Sequence, residues 1–338
     1  MKSRIAAIEY YLPENVLSSA DLSAQFPEWP VEKIRQKTGI DNRHISAPGE
    51  CASDLAAAAA QKLFASGAVL PGEIDFLLLC TQSPDYFLPT TACLLQHRLG
   101  LPVGIGALDF NLGCSGFVYG LSLANGLIAT GAAKNVLLIT AETYSKFLHP
   151  ADKSVRTLFG DAAAACLVTA IPEDDPSGIG PFVFGTDGSG GEYLIVPTGG
   201  MREPRTEASA EVQSDSSGNL RSRDSLYMNG GEVFAFTIAR VPDAVRSLLA
   251  KTGLQQTDID LFVFHQANQY MMETLRKNLK IEKERFFVYL ENCGNTVSST
   301  IPVALKAAME QGRLQPGMRI MLVGFGVGLS WAATILHW

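Results

Sequence analysis

One cysteine, one histidine and one asparagine are the side chains around which this sequence can build a reaction. Cys114 lies in Asp109-Phe110-Asn111-Leu112-Gly113-Cys114-Ser115-Gly116-Phe117, after an apolar strand and at the start of a helix expected over Cys114–Ala129. Phe117, Leu121, Ala124 and Ile128 form that helix's core-facing stripe. Unpaired amides and the positive end of the helix dipole favour a thiolate at such a position, where cysteine pKa values run at roughly 3.5 to 7.5. The competing reading is a small buried core residue. Cys80, Cys93, Cys166 and Cys293 lack one or more of these features and are assigned to the core.

His265 ends the apolar run Leu261–Phe264 and begins His265-Gln266-Ala267-Asn268. Polar groups at the carboxyl ends of strands are where α/β sheets bind ligands; a purely structural hydrogen-bonding histidine is the alternative. Asn295, in Glu291-Asn292-Cys293-Gly294-Asn295-Thr296, is expected to open a helix running to Met309, and asparagine is also an ordinary helix cap. Three such groups converging in an apolar interior need a reason. A thiol nucleophile beside neutral imidazole and carboxamide donors suits acyl transfer through a thioester, followed by a step that develops an enolate oxygen. No carboxylate belongs to the set, which disfavours hydrolytic triad chemistry. Near the C-terminus, Gly324-Phe325-Gly326-Val327-Gly328-Leu329-Ser330-Trp331 matches no phosphate-cradling pattern. It reads equally as a backbone N–H aimed at an oxyanion or as a tight hairpin.

The elements that must position these residues occur twice. Glu73–Cys80 and Asp258–His265 are each an acidic lead-in followed by an apolar run, the pattern of a buried parallel strand. An apolar helix pattern follows in each half, at Cys114–Ala129 and Asn295–Met309, and strands return at Asn135–Thr140 and Arg319–Val323. Alternating strand and helix indicates an α/β sheet with helices on its faces. The seam falls in the Pro-, Asp- and Gly-rich stretch 171–180, giving halves 1–175 and 176–338. A polar stretch over 185–231 reads as a lid, a pocket wall or surface decoration.

With 47% apolar and 18% charged residues, the 338-residue chain has the balance of a compact enzyme. A net charge of −7 without a basic block disfavours a nucleic-acid partner. Six cysteines with no CxxC pair resemble neither a zinc site nor a disulfide framework, so a reducing, cytoplasmic setting is expected, with no metal. Glu9 and Pro13 spoil the N-terminus as a signal peptide. The uncharged stretch before His337 reads as two buried strands around a Gly turn, not a membrane span.

Over nearly its whole length the sequence resembles the β-ketoacyl-acyl carrier protein synthase III family. The resemblance is carried by Thr38-Gly39-Ile40, Gly113–Phe117, Leu158-Phe159-Gly160-Asp161, Met228-Asn229-Gly230 with Val233-Phe234, His265–Asn268, Gly294-Asn295-Thr296 with Ile301–Leu305, and the closing Gly-Phe-Gly run. It implies a thiolase fold: a five-layer αβαβα sandwich of two pseudo-symmetric halves, in a homodimer. It also implies that Cys114 accepts an acyl group from acyl-coenzyme A, and that malonyl on acyl carrier protein is decarboxylated beside His265 and Asn295. The backbone amides of Cys114 and Val327 would form the oxyanion hole, with no bound cofactor. Lys37 and Lys153 match basic positions that contact coenzyme A, Leu88 matches a residue reaching into the partner's pocket, and Met228, Phe234 and Asn268 fall at the substrate pocket. Departures concern substrates: Lys33 replaces the family's tryptophan, with Trp29 nearby, and Tyr270 replaces a carrier-docking arginine, with Arg276, Lys277 and Lys280 on the same helix. Two other readings remain open, an acyltransferase to an oxygen or nitrogen acceptor without decarboxylation, and an inactive partner subunit.

Overall fold

The computed structural model describes residues 1–338. Two sheets carry the architecture. The first contains β1 (Lys2–Tyr11), β2 (Phe76–Cys80), β3 (Gly106–Phe110), β4 (Asn135–Glu142) and β5 (Ala162–Ile171), in the order β1-β5-β4-β2-β3. β2, β3 and β4 run parallel, whereas β5 lies antiparallel to both β4 and β1. The second contains β6 (Gly178–Thr186), β7 (Leu261–Phe264), β8 (Arg319–Gly326) and β9 (Ser330–His337), in the order β7-β8-β9-β6. Only β7 and β8 pair in parallel there. The returning strand is longer than the apolar run suggests, because β8 continues through Gly324, Phe325 and Gly326 before the chain reverses into β9.

Helices follow from where apolar side chains must go. The labelled ones are α1 (Val31–Thr38), α2 (Ala52–Ala65), α3 (Thr91–Arg98), α4 (Gly116–Ala129), α5 (Gly230–Thr252), α6 (Gln269–Asn278) and α7 (Thr300–Glu310). α4 packs against strands of both sheets, which explains why Phe117, Val118, Leu121, Ala124 and Ile128 are all buried and why Gly116 and Gly120 face neighbouring side chains. α7 shares this core, placing Ile301, Ala304, Leu305 and Ala308 with the α4 stripe. A second core joins α2 and α3 to the other face of the first sheet through Leu55, Leu63 and Leu95. A third joins α5 and α6 to the second sheet through Val245, Leu248 and Met272. Burying side chains of this size contributes about 1.5–3 kcal/mol each relative to exposure. No helix is long and apolar enough to cross a membrane.

Two expectations need correction. The helix expected to open at Asn295 starts five residues later, at Thr300, after a turn of 3-10 helix over Val297–Ser299. The cause is Val297, whose φ of 55° lies in the left-handed region, where a β-branched residue cannot continue a right-handed helix from Asn295. Cys93 is exposed, not core: on α3 it is Ala92 and Leu95 that turn inward.

Candidate active site

Cys114 sits in the short turn between β3 and α4. Gly116 N–H donates to the Gly113 carbonyl at 2.8 Å, and Ser115 caps the helix with its backbone while its hydroxyl pairs with Ser330 at 2.7 Å. The turn is tight because four glycines leave no room for anything larger. A Cβ on Gly116 would stand 2.2 Å from Cys80 Sγ, and one on Gly326 would stand 2.8 Å from Cys114 Cβ and 2.9 Å from its sulfur. Gly113 and Gly324 meet Gln82 and the Cys114–Ser115 backbone just as closely. These approaches bring β8 of the second half against the cysteine of the first.

The backbone N–H groups of Cys114 and Val327 both hydrogen-bond toward the sulfur, the two amides expected to form an oxyanion hole. Their effect on the thiol is outweighed. Cys114 is only 5% exposed, and burial, with the nearby Glu142 carboxyl adding to it, pushes its pKa up to about 12. The expected thiolate near neutral pH is therefore not found. The sequence pattern placed the thiol at a helix start, but it did not reveal a fully buried carboxyl beneath it. Glu142 ends β4 and accepts from the Ser298 hydroxyl at 2.8 Å, Gln82 N–H at 3.0 Å and the Ser83 hydroxyl at 3.3 Å. Burial pushes this carboxyl up to about 8 against those three donors.

His265 follows β7, its N–H donating to Val323 of β8 at 2.8 Å. The buried Gln266 beside it locks the strand end, accepting from Tyr289 N–H and donating to the Phe264 and Phe287 carbonyls. The ring is 2% exposed, packs edge-on against Phe325 and has its pKa pushed down by burial to about 3, so it is neutral throughout the physiological range. Asn295 is held from the first half. Its N–H donates to the Leu158 carbonyl at 2.9 Å and its own carbonyl accepts from Gly160 N–H at 3.0 Å. The carboxamide oxygen accepts from Val297 N–H at 2.9 Å and one N–H donates to Ala267 O at 3.3 Å, which leaves the second N–H unassigned to protein. Behind this contact, the fully buried Arg43 guanidinium donates to the Thr157 carbonyl and the Ser19 hydroxyl, fixing the segment that carries Leu158 and Phe159.

Cys114, His265 and Asn295 line one cavity of about 80 Å³. Its walls include Leu158, Phe159, Leu194, Val233, Met271 and Phe325. Met228 and Asn268 also line it, the latter while capping α6 through a 2.9 Å bond from Met271 N–H. The other substrate positions lie elsewhere. Phe234 stacks on Tyr270 outside the cavity. Leu88 is 82% exposed in the loop before α3. Lys37 and Lys33 stand over the Trp29 ring, 5.1 and 4.9 Å from its centroid, and Lys153 pairs with Glu28 at 2.9 Å. Only the flanks of the 185–231 stretch reach the cavity, through Leu194, Met228 and Gly230, while its middle forms a hairpin whose Arg221 bridges Asp152 and Asp215. Sequence reasoning gave no role to Glu142 or Thr300. A glutamate in an otherwise apolar strand and a polar Val-Ser-Ser-Thr run before an apolar helix were the available signals.

This geometry has relatives. The family described as 3-oxoacyl-[acyl-carrier-protein] synthase III matches residues 108–188, and its C-terminal counterpart matches residues 249–338. The chain is 36% identical over 328 residues to β-ketoacyl-[acyl-carrier-protein] synthase III of Caldanaerobacter subterraneus, covering 97% of this chain and 95% of that protein. It is 38% identical over 339 residues to the Xanthomonas campestris enzyme of the same name, covering 99% and 98%. A crystal structure of a 3-oxoacyl-(acyl-carrier-protein) synthase III superposes with a TM-score of 0.99 at 57% identity over all of both chains. The Pseudomonas aeruginosa PAO1 enzyme superposes at 0.86 with 33% identity, covering 100% and 98%. Full-length identity at this level, together with a mixed α/β fold common to all of them, places the chain in the β-ketoacyl-[acyl-carrier-protein] synthase III family of acyltransferases.

Proposed function

We propose that the cavity performs a decarboxylating condensation in two stages. In the first, Cys114 Sγ attacks the carbonyl carbon of an acyl-coenzyme A. The bond to coenzyme A sulfur breaks, and the proton lost by Cys114 leaves on the coenzyme A thiol. In the second, a malonyl thioester on acyl carrier protein loses carbon dioxide, and its enolate carbon attacks the acyl-cysteine carbonyl. The new carbon–carbon bond forms as the bond between the acyl carbon and Cys114 Sγ breaks, leaving the β-ketoacyl group on acyl carrier protein and a Cys114 thiolate that takes a proton from water. The amides of Cys114 and Val327 receive the oxyanion in the acyl-transfer steps, where one such donor is typically worth about 10²–10³ in rate. His265 and the second N–H of Asn295 receive the enolate oxygen. A neutral imidazole serves as a donor here without a charge that burial would penalise.

The observation that carries this reading is that a buried sulfur, an imidazole and a carboxamide from different parts of the chain line one small cavity. Its 80 Å³ is well below the ~150 Å³ that accommodates benzene, which favours a short acyl primer. Lys37 and Lys153, outside the cavity, are assigned to the coenzyme A moiety, and Arg276, Lys277 and Lys280 around α6 to the acidic carrier. β3 is an edge strand with Leu108 exposed, and Phe87 and Leu88 are exposed in the loop before α3, apolar surface suited to a second copy of the chain. The assembly is thus read as a homodimer of five-layer αβαβα subunits with halves 1–175 and 176–338. Six free cysteines are compatible with a cytoplasmic setting.

Incubation with acyl-coenzyme A should add one acyl mass to Cys114, and Cys114→Ala should show no adduct and no condensation. Labelled carbon dioxide released from malonyl carrier protein separates condensation from acyl transfer to an oxygen or nitrogen acceptor, which releases none. A protein that never acylates across a primer panel would be an inactive partner subunit.

A further inference from the structure

A neutral histidine carries one ring proton, and which nitrogen holds it decides whether the ring presents a donor or an acceptor to the cavity. His265 Nδ1 lies 2.7 Å from Thr300 Oγ1, both buried. The same hydroxyl lies 3.1 Å from the Val297 carbonyl. One hydroxyl hydrogen is available for these two neighbours. The Val297 carbonyl is already served, because it accepts the backbone N–H of Thr300. Nδ1 has no other recorded protein partner, and its contact with the hydroxyl is the shorter of the two. Donation from the hydroxyl to Nδ1 places the ring proton on Nε2.

The residue that does this is itself held in place. Val297 adopts its left-handed φ of 55° with its N–H on the Asn295 carboxamide, Ser298 is tied to Glu142 at 2.8 Å, and the Ser299 hydroxyl pairs with Thr140 at 2.8 Å. A strained β-branched residue persists only where its surroundings over-determine it. Here the bonds cross from the second half to β4 of the first, and they set Asn295 and Thr300 at opposite ends of a single turn.

We propose that Thr300 is a positioning residue whose hydroxyl donates to His265 Nδ1 and so keeps the imidazole in the Nε2–H tautomer. The use of that proton as a donor to the enolate rests on the condensing reading above; the direction of the hydrogen bond does not. Thr300→Val replaces the hydroxyl with a methyl group of similar shape, and Thr300→Ser retains it.

Ring ¹⁵N spectra of histidine-labelled protein, uncrowded with only five histidines, read the tautomer directly. Wild type and Thr300→Ser should show His265 protonated at Nε2, with Nδ1 as an acceptor, and Thr300→Val should show a mixture or the opposite tautomer. In single-turnover assays Thr300→Val should slow condensation of preformed acyl-enzyme about ten-fold, the worth of one buried hydrogen bond, and leave Cys114 acylation within about two-fold. Thr300→Ser should restore condensation. A wild-type ring protonated at Nδ1 overturns the proposal, as does a Thr300→Val protein that condenses as fast as wild type. If Thr300→Val does not fold, the wild-type spectrum and the Thr300→Ser rate still decide. If wild type releases no carbon dioxide, the condensing reading fails while the spectrum still tests the hydrogen bond.

Discussion

The helices α4 and α7 contribute to one core, yet the chain enters them differently. Into α4 it passes from strand to helix within a few residues, with Cys114 immediately before the capping Ser115. Into α7 it takes a longer path, with Asn295 five residues upstream and a left-handed Val297 between. The first approach places a sulfur against two backbone amides and glycines. The second spreads its polar groups so that one end offers a carboxamide and the other supports an imidazole. On the proposed reading, one helix start serves covalent capture and the other hydrogen-bond donation.

The largest expected effect lies on the cysteine side. Gly326→Ala puts a methyl group 2.9 Å from the sulfur, which must shift from its place against the Val327 amide. Acylation should fall by at least about 10²-fold, the worth of one oxyanion donor. Near-normal adduct formation, followed by intact-mass spectrometry, would show that the tight approach is not needed. Next comes the opposite end. Asn295→Ala should still acylate Cys114 yet condense about 10²-fold more slowly, so that acyl-enzyme accumulates. Equal loss of both stages would abolish the division of labour between the two helix starts.

The smallest effect concerns charge beneath the sulfur. Because the Cys114 thiol is pushed up by burial and by Glu142, its thiolate fraction, and with it the rate of iodoacetamide alkylation, should climb as pH rises through 8 and beyond. His265, already neutral, should add no inflection between pH 5 and 8. Glu142→Gln removes the negative neighbour and should move the alkylation profile to lower pH, most visibly above about pH 8, where the carboxyl is ionised. An unchanged profile would mean that desolvation alone governs the thiol.

Much of the site was legible because its signals are local. A cysteine between two glycines at the junction of an apolar strand and an apolar helix, and a histidine ending a buried strand, follow from periodicity and residue type. The α7 start was misplaced because an asparagine before a helical pattern looks like a cap, and nothing local betrays a left-handed valine whose restraints come from Thr140 and Glu142, more than 150 residues away. The state of the Cys114 thiol was misjudged for a related reason: helix-end electrostatics are local, while the burial and the carboxyl that oppose them are assembled by the fold.

The amino-acid sequence by itself determined the alternation of strands and helices, the cysteine, imidazole and carboxamide that line the cavity, and the small residues that let two backbones meet. Tertiary structure alone decided the size of the cavity, the neutral state of His265, the opposition between Glu142 and Cys114, and the partner of His265 Nδ1. These depend on groups far apart in the chain and on solvent exclusion, and neither distance nor dielectric is encoded in any short window of residues.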